Sequence, residues 1–155
     1  MDVRFINPFL EATIDVLKTM AFVEPIPGKP YLKKDDLAKG DVSGIIGFTG
    51  VATGSMALSF SEGCILKIVS NMLGEDIKEI NGDIKDAVGE ITNMVSGAAR
   101  QKLESLGLSI SAAIPTVISG KGHSVSHIMS GPSIIIPFET DQGSFVVDIC
   151  MSDIK

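Results

Sequence analysis

A carboxylate and a carboxamide stand three residues apart at Glu90 and Asn93. A carboxylate can pair with a cation. A neutral carboxamide is no useful base near pH 7, but it can hold a water by hydrogen bond. Around the pair, Asp86, Glu90, Asn93, Gly97, Arg100 and Glu104 recur in steps of four, three, four, three and four. On a helix that spacing forms one stripe, with neighbours ~5–6 Å apart at Cβ. Gly89 and Gly97 bracket the pair. A glycine inside a helix costs ~1 kcal/mol against alanine. Two of them beside one polar pair suggest that something approaches the backbone closely. The spacing alone equally fits a solvated helix face.

Other chemistry-bearing residues carry less. His123 and His127 are four apart, which on a helix could grip a metal. Their neighbours are Gly, Ser and Val, and in a strand residues four apart lie ~13 Å from each other. No metal site is expected. The glycines from Gly47 to Gly54 could suggest a phosphate cradle. They lack the Lys and Ser/Thr of a P-loop and the glycine pattern of a dinucleotide turn, so a tight hairpin explains them. No Ser-His-Asp or Cys-His arrangement stands out. Cys64 and Cys150 are too few for a disulfide framework and read as reduced, buried thiols.

The elements that must position the pair follow from periodicity. Ile84, Ala87, Val88, Ile91, Val95, Ala98 and Leu106 trace the apolar stripe of a long helix from about Asp83 to Leu106, stopped by Gly107. Asn7-Pro8 reads as the start of a first helix, with Leu10, Ile14, Leu17 and Ala21 at helical spacing. Ser61 can cap a second helix carrying Ile65, Ile68, Val69, Met72 and Leu73, ended by Gly74. Pro25, Pro27, Gly28 and Pro30 forbid a helix or central strand, and Tyr31 to Lys39 reads mostly as loop. Val42 to Phe60 is a hairpin around the glycines. Ile114 to Ile118, with Pro115 at its start, is extended. Ser133–Phe138 and Ser144–Met151 form a second hairpin through Asp141-Gln142-Gly143. Helices and strands are grouped rather than alternating. The expected fold is therefore α+β, an antiparallel sheet with two or three helices on one face, as a single domain over residues 1–155.

Composition sets the outer limits. The chain has 155 residues, 45% of them hydrophobic, and a formal charge of −6. That hydrophobicity rules out disorder. The acidic balance argues against nucleic acid, whose binders carry basic patches. Val42 to Ser61 is free of charge over a membrane-spanning length, but its four glycines and its period-two alternation at Met56, Leu58 and Phe60 argue for strands. The first residues, Met1 to Phe9, lack the apolar core of a signal peptide, which leaves the cytoplasm as the expected compartment.

Residues 86–94, Asp-Ala-Val-Gly-Glu-Ile-Thr-Asn-Met, resemble the signature of the CheC/CheX/FliY family of chemotaxis phosphatases. That signature is an Asp or Ser, a Glu four later, an Asn three after that, and a Pro about 22 beyond. Pro115 follows Asn93 by 22 positions. The hairpin from Gly47 to Ser61, the second helix from Ile68 to Gly74, and the strand from Pro115 to Gly120 are similar to the family's as well. Family members with two sites carry a second Glu-x-x-Asn on the first helix. Here that helix has Glu11-Ala12-Thr13-Ile14, with Ile14 in place of the amide. The chain thus looks like the single-site CheX type.

The resemblance implies a phosphatase acting on the aspartyl phosphate of a CheY-like response-regulator receiver domain. It implies that Asn93 positions the attacking water and that Glu90 meets the receiver's active-site lysine. Asp86, Gly89, Gly97 and Arg100 are then candidates for contact with the partner. Any Mg²⁺ needed sits on the receiver, so no cofactor of the chain's own is expected. A homodimer is implied too, with Ser124–Met129 as a candidate joining edge. The alternative is a non-catalytic receiver-binding or flagellar-switch docking domain of the same fold.

Overall fold

The computed structural model describes residues 2–33, 40–125, 127 and 132–155. In chain order these form α1 (Ile6–Ala21), β1 (Ile26–Pro27), β2 (Tyr31–Leu32), β3 (Val42–Gly50), β4 (Gly54–Phe60), α2 (Glu62–Leu73), α3 (Gly82–Ser105), β5 (Ile110–Ala112), β6 (Thr116–Ser119), β7 (Ile134–Thr140) and β8 (Gly143–Met151). All strand pairs are antiparallel and belong to one sheet in the order β1-β7-β8-β4-β3-β5. Both edges are split, since β2 joins β1 along β7, and β6 joins β5 along β3. The α+β expectation is met, with three helices on one face.

Side-chain alternation divides the sheet into two faces. Val42, Ile46, Phe48, Met56, Leu58, Phe60, Phe145, Val147 and Ile149 turn to the helices and form the core with Phe9, Ile65, Ile68, Ile84, Val88, Ile91 and Val95. Phe9 of α1 meets Phe48 with ring centroids 5.6 Å apart. Phe145 stacks between Phe60 and Phe138, at 5.1 and 4.8 Å. The opposite face carries Ser43, Ser55, Ala57, Ser59, Asp148 and Cys150, all buried although none of the described helices covers them.

Several local expectations need correction. Asn7 is not the cap of α1. A 3-10 turn over Val3–Phe5 runs straight into the helix, and Asp2 caps that turn by accepting from the Arg4 N–H at 2.9 Å. Pro8 is still tolerated, because first-turn N–H groups have no partner within the helix. The buried stripe of α1 is Phe9, Ala12, Thr13, Val16, Leu17 and Ala21, with Leu10 and Ile14 only half-buried, because the helix is apolar over a wide arc. Ser61 starts α2 but its hydroxyl makes no capping bond; Asp41 instead accepts from the Glu62 N–H at 2.8 Å. Gly74 does end α2 in the left-handed region, at φ 67°. Leu106 lies past the end of α3 and is 51% exposed, whereas Ala99 and Leu103 take the buried places. β5 and the two-residue strands β1 and β2 were not anticipated, since segments so short show no period. The extended run expected from Ile114 begins at Thr116.

Candidate active site

The long helix is held from below. Asn81 caps α3, its side-chain oxygen accepting from the Ile84 N–H at 3.0 Å. Thr92 lies under the helix, its hydroxyl donating to Val88 O at 2.7 Å. Beneath it is Gly44 of β3, where a Cβ would overlap the Thr92 hydroxyl. That glycine lets helix and strand approach closely. Ser96 donates to Asn93 O at 3.1 Å, and Arg100 Nε donates to Ile110 O at 3.1 Å, tying α3 to β5. The backbone from Val88 to Arg100 is thus fixed on its inner side by apolar burial and by satisfied polar groups.

The outer side is free. Asp86, Glu90, Asn93 and Gly97 are exposed, and Gly89 and Arg100 are half-exposed. Among the described residues, neither Glu90 nor Asn93 has a side-chain hydrogen-bond or ion-pair partner. The expected stripe is therefore one surface. The two glycines are not required by internal packing: a Cβ at Gly97 would meet nothing within 4 Å, and one at Gly89 would only touch Val117 at 3.6 Å. On α1, Glu11 lies 3.8 Å from Lys102 and Ile14 is half-buried, so no second carboxylate–amide pair is offered there.

The helix-free face holds a polar cluster that the sequence reading did not find. Ser55 Oγ and His127 Nδ1 are 2.5 Å apart, His127 Nε2 is 2.7 Å from Asp148 Oδ1, and Lys33 Nζ donates to Asp148 Oδ2 at 2.7 Å. Burial alone would raise the Asp148 carboxyl, but the bonds from His127 and Lys33 together hold it below the ordinary carboxylate range. The order Ser-His-Asp resembles a hydrolase triad. Ser55, however, is only 1% exposed, so no substrate can reach it. The cluster is an internal tie. Its one sequence signal was Asp148, a charge inside the apolar run Val146 to Cys150.

His123 bonds separately, to Ser43 Oγ at 2.7 Å and to Gly120 O at 2.6 Å, and the two histidines do not converge. No cluster of three or more metal-ligating His, Cys, Asp or Glu occurs among the described residues. The Gly47–Gly54 region is a hairpin, with Gly50 at φ 128° and the Val51 N–H donating to Ser109 O at 3.1 Å. Cys64 and Cys150 are buried free thiols, and burial pushes Cys64 up to about 11. No described helix is long and apolar enough to cross a membrane. Of the candidate edge Ser124–Met129, Ser126, Ile128 and Met129 lie outside the described residues. Val125 is buried, and the His127 side chain is nearly so.

A single antiparallel sheet backed by three helices is the fold of the CheC-like proteins. Residues 42–139 match the family model described as chemotaxis phosphatase CheX. The chain belongs to that family. It is 33% identical over 122 residues to the CheY-P phosphatase CheX of Thermotoga maritima, covering 78% of this chain and 79% of that one. A CheC-like superfamily protein from Shewanella sp. PV-4 superposes with a TM-score of 0.92 at 48% identity, over 99% of this chain and 100% of that one. The CheX of the CheX-CheY-BeF3-Mg²⁺ complex from Borrelia burgdorferi superposes with a TM-score of 0.82 at 26% identity, over 98% and 100%.

Proposed function

We propose that this chain hydrolyses the aspartyl phosphate of a CheY-like receiver domain in chemotactic signalling. The observation that carries the reading is the Glu90–Asn93 pair, exposed and without side-chain partners among the described residues, on a helix whose other side is packed and hydrogen-bonded. An acyl phosphate is already activated, so catalysis is mostly positioning and electrostatics. Asn93 holds a water in line with the phosphorus. The water oxygen bonds to phosphorus as the acyl P–O bond breaks, releasing inorganic phosphate and the aspartate carboxylate. Glu90 does not face the phosphoryl group, because like charges repel; it pairs with the receiver's active-site lysine and so sets the angle of the amide. Mg²⁺ is carried by the receiver, in keeping with the composition of the Borrelia burgdorferi complex.

Asp86, Gly89, Gly97 and Arg100 extend the contact surface along α3. Arg100 has a second task, since it also braces β5. We place the protein in the cytoplasm, where receiver domains work, and as a homodimer; sedimentation equilibrium of the purified chain tests the dimer directly. The function is tested by following phosphate loss from a panel of phosphorylated receiver domains, with the parent and with Asn93→Ala. Acceleration for one or two receivers, absent in the variant, is expected. No acceleration by the parent for any receiver would sink the reading.

A further inference from the structure

The outward pair does not stand on the helix alone. Arg100 is tied to Ile110 at one end of α3, and Val117 comes within 3.6 Å of a Cβ built at Gly89 at the other. The chain from Ile110 to Val117 therefore runs antiparallel beside the helix from Arg100 back to Gly89. Ala113-Ile114-Pro115 lie between these two anchors on the strand side, as Glu90 and Asn93 lie between them on the helix. Ile114 is 88% exposed, more than Phe22 at 79% or Val3 at 75%, the next most exposed large apolar residues described.

Single exposed apolar side chains are ordinary, so exposure by itself decides nothing. Position and rigidity do. The Ala113 N–H donates to Gly47 O at 3.0 Å, fixing the backbone just before Ile114. Pro115 follows with a locked φ, and β6 pairs with β3 from Thr116 onward. The β-branched side chain is stiff and has little rotamer freedom to lose on contact. On the helix between the same anchors, Gly89 and Gly97 carry no side chain and leave the surface low.

We propose that Ile114 is the apolar anchor that seats the receiver domain, inserting against an apolar patch next to the receiver's phosphoaspartate. This rests on the phosphatase reading above and names the contact that brings the acyl phosphate to Asn93. The occupant follows from continuity, because a domain that presents its phosphoaspartate to Asn93 also covers a corner between the same two anchors. An apolar contact of this kind serves substrate and transition state equally, so it sets KM rather than kcat.

The test uses the receiver on which the parent acts fastest, or binds most tightly if none is turned over. Kd is measured with the beryllofluoride-loaded receiver, and kcat and KM with the phosphorylated one. The variants are Ile114→Ser, Ile114→Val and Asn93→Ala. Ile114→Ser is expected to raise Kd and KM about tenfold with kcat unchanged, and Ile114→Val to stay near the parent. A Kd within twofold of the parent in Ile114→Ser overturns the proposal, even if Asn93→Ala abolishes turnover. Parent-like turnover in Asn93→Ala, with Kd still raised in Ile114→Ser, removes the water-positioning reading and leaves the anchor standing. A changed mass in sedimentation for Ile114→Ser, with Kd unaltered, gives the corner to self-association and overturns the proposal. Failure of the parent to bind any receiver overturns both readings.

Discussion

Asn93 bears a neutral amide on a fixed backbone, so its removal probes positioning without altering charge. Asn93→Ala is expected to lower kcat on the order of 10²-fold, as loss of a positioned reactant does. Affinity for a beryllofluoride-loaded receiver should change little, and urea unfolding should match the parent because the side chain is exposed. A parent-like kcat would show that the amide holds nothing that matters. Glu90→Gln keeps size and removes charge, and should raise Kd for the receiver with a salt dependence weaker than the parent's. Cys64 makes a separate residue-scale prediction. With its thiol pushed up to about 11 and its side chain buried, it should react with a thiol reagent at pH 8 only on unfolding.

Two glycines decide how α3 works as an element, and they act in opposite senses. Gly44 is required by packing, since a Cβ there runs into the Thr92 hydroxyl. Gly44→Ala should destabilise by roughly 1–3 kcal/mol, as overpacking does, and lower activity by tilting the helix. Its urea midpoint is the measurement. Gly97 is not required by packing, because space is open around it. Gly97→Ala should therefore stabilise the fold by roughly 0.5–1 kcal/mol. If a receiver packs along this face, the same variant loses affinity while it gains stability. Unchanged affinity would remove Gly97 from the contact surface.

Across the whole molecule, the sheet is sealed on two sides by different means. The helical side is apolar, while the other side closes over the Lys33–Asp148–His127–Ser55 chain of bonds. The Asp148 carboxyl lies below its ordinary 3.8 in the folded state. It therefore contributes stability that is present above the unfolded value and is lost as pH falls through the folded one. Asp148→Asn should lower stability at pH 7 by roughly 3 kcal/mol, within the range for breaking a buried pair. It should also flatten the acid limb below about pH 4. Urea midpoints at pH 7 and pH 3.5 for both proteins check this. A parent-like acid limb in the variant would mean that another carboxylate sets it.

Periodic positions told most of this fold in advance. The stripe of Ile84, Val88, Ile91 and Val95 located α3, and with it the outward placement of Glu90 and Asn93, because a helix turns by a constant angle. Alternation at Met56, Leu58 and Phe60, and the turn before Gly143, located the two hairpins for the same kind of reason. Contacts between residues far apart in the chain have no period and left no such trace. Ser55, His127, Asp148 and Lys33 come from four separate segments and meet only because the sheet stacks them. β1, β2 and β5 exist because a longer neighbour offers them a ladder. The same is true of Ile114, whose type is plain in the sequence while its place alongside α3 depends on β5 and β6 folding back along that helix.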